Sequence, residues 1–445
     1  METPVLKRKI YDALLRWKQK KSRECLLIKG ARQVGKTFII EKFGREQYSS
    51  YIYLNFYQNP EYREIFKGSL EAEEIYKRIS VYVKEVRFVP HDTLIFLDEI
   101  QECPNARTAL KFLAIDDLYD VVASGSLLGL HYREMASIPV GYERTIEMFS
   151  LDFEEFLWAA GKSEQALGVL YECFERKEKI APGIHEHFVA LLRDYLIVGG
   201  MPEAVNAFLD SHNFQEVYAT QKKIMESYQE DIKHYASTQM RQKISDCYHS
   251  IPRQLAKEYT KFQYKVVSRE GNARRYENCL NWLVDAGMIA MCVNVSTPQF
   301  PLIAYEKPEQ FKVYVTDIGL LTSMYGYETQ IALWKDTISG PAKGGIYENL
   351  VFDMLIKRGF SLNYYKNDKN TQEIEFLYMK DGNVIPIEVK SKNGATVSLN
   401  NFITEYHPPC AYKLISGNIG VSGTKITLPL YMAMFLPAGG EAGFA

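Results

Sequence analysis

One stretch, Gly30-Ala-Arg-Gln-Val-Gly-Lys-Thr37, restricts what this chain can fold into more than any other. It stands between an apolar run, Cys25 to Ile28, and a second, Phe38 to Ile40, whose pattern continues helically through Phe43. The order is strand, glycine loop, helix. Gly30 and Gly35 let the backbone curl so that the N–H groups of Ala31, Arg32, Gln33 and Val34 turn toward a phosphate chain. Lys36 would reach the β- and γ-phosphates, and the Thr37 hydroxyl would take a place on Mg²⁺. The phosphates would rest on the helix N-terminus, where unpaired N–H groups and the macrodipole favour anions.

A second stretch completes the site. His91 to Ile100 is a continuous apolar run, as expected of a strand buried on both faces, and it ends in Asp98 and Glu99. This is a Walker B strand. Asp98 would hold Mg²⁺ directly or through water, and Glu99 would polarise the attacking water as general base. Tyr119 to Ser126 reads as another strand, whose Ser124 or Ser126 would supply a polar sensor. Arg144 opens the strand expected over 144–149 and is the candidate phosphate-sensing arginine. With Tyr51–Phe56 as a further strand and a mostly helical stretch over 59–86, strands alternate with helices. That alternation predicts a doubly wound α/β sheet with nucleotide at the carboxyl ends of its strands.

The 445 residues exceed one core and predict roughly two to four domains. An amphipathic helix is expected within 1–22 and the nucleotide-binding domain over 23–150. A helical lid follows over 151–249, broken at Gly199-Gly-Met-Pro202. His185 and His187 lie two apart on a helix and so point apart, which disfavours a metal pair. Residues 250–330 read as a winged-helix-like segment: a one-sided helix over Ala273–Asp285, then two β-type runs, Met288–Val293 and Phe311–Val315. Arg269, Arg274 and Arg275 gather where a recognition helix would begin, making 265–275 the candidate DNA contact, diluted by Glu270 and Glu277.

The last unit is expected over 331–435. Glu373–Met379 and Val384–Lys390 flank Lys380-Asp-Gly-Asn383, a hairpin turn signal. With Asp381 and Gly382 central, Ile374 would face Val389, Phe376 Ile387 and Tyr378 Ile385. On the other face Glu373 would oppose Lys390, and Glu375 would oppose Glu388. Like charges placed so destabilise a hairpin unless a cation binds between them, and Mg²⁺ or Mn²⁺ suits carboxylate oxygens. Lys390 would then orient or deprotonate a water. With Glu348 on an upstream helix, the set resembles the PD-(D/E)xK nuclease constellation, departing from it at Glu375, where that family usually has Asp.

Net charge is −2, which gives no global electrostatic case for nucleic-acid or membrane binding. Seven scattered cysteines with no C-x-x-C read as reduced thiols. The N-terminus carries no apolar signal core and no run reaches the length of a membrane span, so the cytoplasm is the expected compartment and no membrane partner is expected.

Taken together, the glycine loop, Leu-Asp-Glu-Ile-Gln at 97–101, Ala-Ser-Gly-Ser at 123–126, Ser-Leu-Asp-Phe-Glu-Glu-Phe at 150–156, Gly-Gly-Met-Pro-Glu at 199–203 and Ile-Glu-Val-Lys at 387–390 resemble the prokaryotic AAA-type P-loop ATPases. More narrowly, they resemble the archaeal-ATPase-like group with a C-terminal domain of unknown function. The resemblance implies ATP and Mg²⁺ as ligands, a AAA module, a winged-helix segment and a nuclease-like end. The leading expectation is an ATPase acting as a nucleotide-driven switch. The alternatives are a metal-dependent DNA nuclease regulated by ATP and a non-catalytic module that binds nucleic acid, protein or its own copies.

Overall fold

The computed structural model describes residues 6–20, 24–126, 141–257, 261–367, 372–391 and 396–438. Two sheets carry the chain. The first is five-stranded: β1 (Cys25–Gly30), β2 (Ser50–Asn55), β3 (Thr93–Asp98), β4 (Asp120–Ser126) and β5 (Glu143–Glu147), in the order β2-β3-β4-β1-β5. All its pairings are parallel. Every residue of β3 is buried, as its unbroken apolar run required. Parallel strands end together, so Gly30, Asn55 and Asp98 reach one edge of the sheet: Asn55 pairs with Asp98 and Gly30 with Ser126. This is the P-loop NTPase arrangement of the AAA type, with the glycine loop on a central strand.

The loop needs its glycines for two separate reasons. Gly35 sits at φ +95, a left-handed conformation that side chains disfavour. At Gly30 a Cβ would lie 2.1 Å from the Met148 carbonyl oxygen, so backbone approaches backbone there.

Six helices follow, from Phe153–Ala159 to Thr238–Leu255, so the helical region runs past the expected boundary at 249. The first is entered through a capping box in which Asp152 accepts from the Glu155 amide while Glu155 accepts from that of Asp152. The fourth begins at Pro202, directly after the Gly199–Gly200 turn, and the fifth is the long lid helix Phe214–Tyr235.

The second sheet spans the expected boundary at 330. It has eight strands: β6 (Ile289–Val295), β7 (Glu306–Val315), β8 (Asn363–Lys366), β9 (Glu373–Lys380), β10 (Asn383–Val389), β11 (Ala411–Ile415), β12 (Gly420–Ser422) and β13 (Lys425–Pro429). Their order is β12-β13-β11-β10-β9-β8-β6-β7. The Ala273–Asp285 helix and the β6–β7 hairpin form as expected. However, β6 pairs in parallel with β8, so the hairpin joins the C-terminal sheet and no sheet boundary falls at 330. A free β6 would expose a row of unpaired backbone groups, and β8 covers it. Side chains fasten the seam: Asn294 accepts from the Lys366 amide at 3.0 Å, and buried Lys312 of β7 pairs with Glu373 of β9 at 2.8 Å.

A buried polar cluster ties the helical region to Ser150, where the nucleotide-binding domain is expected to end, and to the Pro341–Ile356 helix. Asp317 accepts from Ser150 at 2.7 Å and from the Gly200 amide at 2.8 Å. Lys357, on the end of the Pro341–Ile356 helix, lies 2.9 Å from Asp353 and donates to the Leu151 carbonyl at 3.2 Å. Burial pushes the Asp353 carboxyl up to about 7. Among the described residues all seven cysteines are free, and no helix is long and apolar enough to cross a membrane.

Candidate functional site

The loop, the end of β3 and the lid helix enclose one cleft. Lys36 is buried at the start of its helix, and its Nζ donates to the carbonyls of Gly30 at 2.9 Å and Ala31 at 2.8 Å. Burial lowers its pKa to about 8, against the opposing pull of Glu99 and Asp98.

Asp98 is buried and receives hydrogen bonds from neutral donors. Thr37 donates at 3.1 Å, Tyr53 at 2.8 Å, Asn55 at 3.1 Å and the Glu99 amide at 3.1 Å. Ser124 donates as well. These bonds fix the carboxylate beside Thr37 while leaving its charge uncompensated by them, an arrangement that fits a divalent cation between Thr37 and Asp98. Ser124 is thus an orienting group for Asp98, which narrows the sensor expectation; the Ser126 side chain lies outside the described residues. Tyr53 and Asn55 were not singled out from the sequence. A polar residue closing an apolar strand next to the Walker B strand was the available signal.

Glu99 occupies left-handed backbone, φ +53, unusual for a residue with a side chain and a recurrent feature of active sites. The bend turns its carboxylate into the cleft, where Gln101 donates to it. Burial raises its pKa, a direction that suits a general base.

Arg144 is not brought here. Parallel pairing sets it beside Leu26, four residues before Gly30 and so about 13 Å down the strand from the loop. A nucleotide on the glycine loop would lie at the other end of the sheet, a position that does not suit Arg144 as a sensor within its own chain. Arg32 instead enters the cleft, ion-paired with Asp231 of the lid helix. Gln33 donates to Ser227 at 3.0 Å, and Tyr228 donates to the Arg32 carbonyl at 3.4 Å. Tyr57 and His234 complete the walls of a cleft of about 280 Å³. On the far side of Gly35 opens a second cleft, about 360 Å³, lined by Leu6, Phe38, Ile39, Met148, Pro202 and Asn206. The Asn206 Oδ1 is buried and accepts no hydrogen bond.

The C-terminal acids assemble differently from expectation. The β9–β10 ladder keeps the predicted register from Asn383–Lys380 to Ile387–Phe376. The ladder ends there, so neither Glu373 opposite Lys390 nor Glu375 opposite Glu388 belongs to it, and on the other edge of β9 Glu373 pairs with Lys366 of β8. Glu373 takes Lys312 and Lys366 as counter-ions, which hold its pKa down at about 2 against burial. Ile374 packs in a different cluster from Val389, so the apolar face is shorter than expected. Lys390 bridges the remaining acids, 2.7 Å from Glu375 and 3.5 Å from Glu388. Burial raises the pKa of both, Glu375 to about 7, and each keeps one buried oxygen without a hydrogen bond. Glu348 is committed to Lys312 and Tyr314. Among the described residues no three His, Cys, Asp or Glu side chains gather closely enough to hold a metal, so Glu348 does not join Glu375 and Glu388 as a ligand set. His185 contacts the Tyr431 hydroxyl at 2.9 Å. Arg269, Arg274 and Arg275 are exposed, with Arg275 3.5 Å from Glu270.

Family models match three segments: an AAA domain over residues 22–157, and two domains of unknown function, DUF8612 over 189–331 and DUF4143 over 343–431. Residues 22–157 therefore form an AAA-type P-loop domain. No curated protein matches the chain. Among solved structures, the Walker-type ATPase PABY2304 of Pyrococcus abyssi is 14% identical over 72% of this chain and 96% of its own, with a TM-score of 0.41. The Orc1 protein of Aeropyrum pernix in complex with DNA is 13% identical over 74% and 95%, TM-score 0.31. AMPPCP-bound DnaA from Aquifex aeolicus is 12% identical over 63% and 90%, TM-score 0.29.

Proposed function

We propose that the chain is a Mg²⁺-dependent ATPase whose nucleotide state repositions the lid and, through it, the C-terminal sheet. The observation that carries this reading is Glu99, bent by left-handed backbone into one cleft with Lys36 and capped by the lid helix. The triphosphate lies along the loop amides, Lys36 leaves the two carbonyls for the β- and γ-phosphates, and Thr37 and Asp98 hold the ion. Bound Mg²⁺ supplies charge neutralisation on the phosphate oxygens. Glu99 takes a proton from the attacking water as its oxygen bonds to the γ-phosphorus; the bond to the β–γ bridging oxygen breaks, releasing ADP and phosphate. The base fits the second cleft, between Phe38, Ile39 and Pro202, where the buried Asn206 Oδ1 accepts from an exocyclic amine. Pro202 follows Gly200, whose amide binds Asp317, so a nucleotide pressing on Pro202 bears on the buried cluster that reaches Lys357. Glu99→Gln tests the assignment: labelled ATP still binds but phosphate release stops, whereas unimpaired release would remove Glu99 from the mechanism.

A second reading attaches to the Glu375–Glu388 pair. A buried acid, Glu388, and a partly buried one, Glu375, each with an unpaired oxygen and bridged by one lysine, fit a divalent ion in a two-carboxylate site, and Lys390 fits the orientation of a water on a phosphodiester. DNA reaches this end over the exposed Arg269, Arg274 and Arg275. Mg²⁺- or Mn²⁺-dependent cleavage of plasmid or single-stranded DNA, lost in Lys390→Ala, tests it. Cleavage that survives the substitution assigns the activity to a contaminant.

A further inference from the structure

We infer that Arg32 is a phosphate ligand which the lid helix holds in reserve, so that a triphosphate and Asp231 compete for one guanidinium. The inference rests on the ATP-binding reading and adds to it a device for sensing the γ-phosphate. Arg32 lies within the glycine loop, and its side chain enters the same cleft as Lys36 and Glu99. Glu99 marks the γ end, because a base must stand where water attacks. A guanidinium there is suited to the terminal phosphate, which it can grip with two N–H groups.

In the present arrangement that grip is spent on Asp231. Asp231 is 5% exposed, whereas the Arg32 side chain is half exposed and free to swing. Two further bonds, Gln33 to Ser227 and Tyr228 to the Arg32 carbonyl, close the lid helix onto the same two loop residues. A Mg²⁺-bound triphosphate offers more negative charge than one carboxylate and repels Asp231 as it draws Arg32 away. Left without its partner, Asp231 is a buried unpaired charge, a costly state that ends when the lid helix moves off and rehydrates it. A diphosphate lacks the γ-phosphate, leaves Arg32 with Asp231, and keeps the lid closed. The loop arginine is thereby a ligand that reports on the phosphate chain and a latch for residues 214–235.

Binding of a fluorescent non-hydrolysable ATP analogue and of fluorescent ADP, both with Mg²⁺, tests this on the full chain. Hydrogen exchange over residues 214–235 is followed alongside. The wild-type chain is expected to favour the triphosphate at least about tenfold, and to lose protection at 227–235 only when it is bound. Arg32→Ala brings the two affinities together. Asp231→Asn, which keeps the shape of the pair, tightens the triphosphate about tenfold and lowers lid protection before any nucleotide is added. Arg32→Lys, with charge but no fork, recovers only part of the discrimination. An unchanged triphosphate-to-diphosphate ratio in Arg32→Ala, in a chain that still binds nucleotide, overturns the role of Arg32 alone. So does unaltered affinity in Asp231→Asn. A wild-type chain that binds neither nucleotide overturns the ATPase reading and this one with it.

Discussion

The two ends of the molecule each bring a lysine up to a pair of acids, and they resolve the same electrostatic problem in opposite ways. At the glycine loop, Lys36 turns to two backbone carbonyls while Asp98 takes hydrogen bonds from Thr37, Tyr53, Asn55, Ser124 and the Glu99 amide. Cation and anion are held apart, each on neutral groups, and both stay available to a charged ligand. At the C-terminal hairpin, Lys390 lies directly between Glu375 and Glu388. There the lysine is itself the counter-ion, so any metal must compete with it. The first site is organised to receive a ligand; the second is stable as it stands.

The contrast breaks most sharply on turnover. Glu99→Gln should lower the rate of ATP hydrolysis by about 10²–10⁴ with affinity retained, the range for loss of a general base; steady-state phosphate release beside an equilibrium binding curve measures both. Next comes stability against pH. The Glu375 carboxyl has a folded pKa of about 7, above its ordinary 4.5, so the folded chain binds the extra proton between those values. The stabilisation is whole below pH 4.5 and is lost as pH rises through about 7, amounting to ~3 kcal/mol at most. Asp353 adds a slope of the same sign, lost over the interval from 3.8 to about 7. Thermal melts from pH 4.5 to 8 should therefore be less pH-dependent in Glu375→Gln, and an identical profile would show that Glu375 is ionised throughout.

The lysines themselves supply the third comparison. Lys390→Met leaves two carboxylates facing each other and should cost about 1–3 kcal/mol, discounted because the lysine is 34% exposed. Lys36→Met removes a buried charge whose hydrogen bonds go only to carbonyls and should shift stability by under about 1 kcal/mol while abolishing nucleotide binding. Equal destabilisation in the two variants would erase the distinction. Metal gives a last comparison: Mn²⁺ at ten times its dissociation constant should stabilise the wild-type chain by about 1.4 kcal/mol, and Glu388→Gln should lose that gain.

The nucleotide-binding end was legible in the sequence almost residue by residue. Gly30, Gly35, Lys36, Thr37, Asp98 and Glu99 fall where the motif spacing put them, because a glycine loop and a strand end are local structures. Arg144 stands near the start of β5, and in a parallel sheet the start of a strand lies at the end away from the loop. Tyr53 needed the pairing of β2 with β3, and Asp231 needed a helix some two hundred residues from its partner to fold over the loop.

At the other end, the Asp381–Gly382 turn and the alternation of Phe376, Tyr378, Ile385 and Ile387 determined a hairpin and most of its register. What the sequence could not determine is which of several lysines each acid would take. Glu373, Glu375 and Glu388 are chemically alike, as are Lys312, Lys366 and Lys390, and only the packing of β7, β8, β9 and β10 sorts them into pairs. The same holds for the fusion of β6 to β8, which made one sheet of two expected units. By itself the sequence determined the backbone of the phosphate loop and the acids beside it, since those follow from glycine, from apolar runs and from short spacing. Tertiary structure decided the partners, because a charge chooses among equivalent counter-ions by distance, and distance is set by the whole fold.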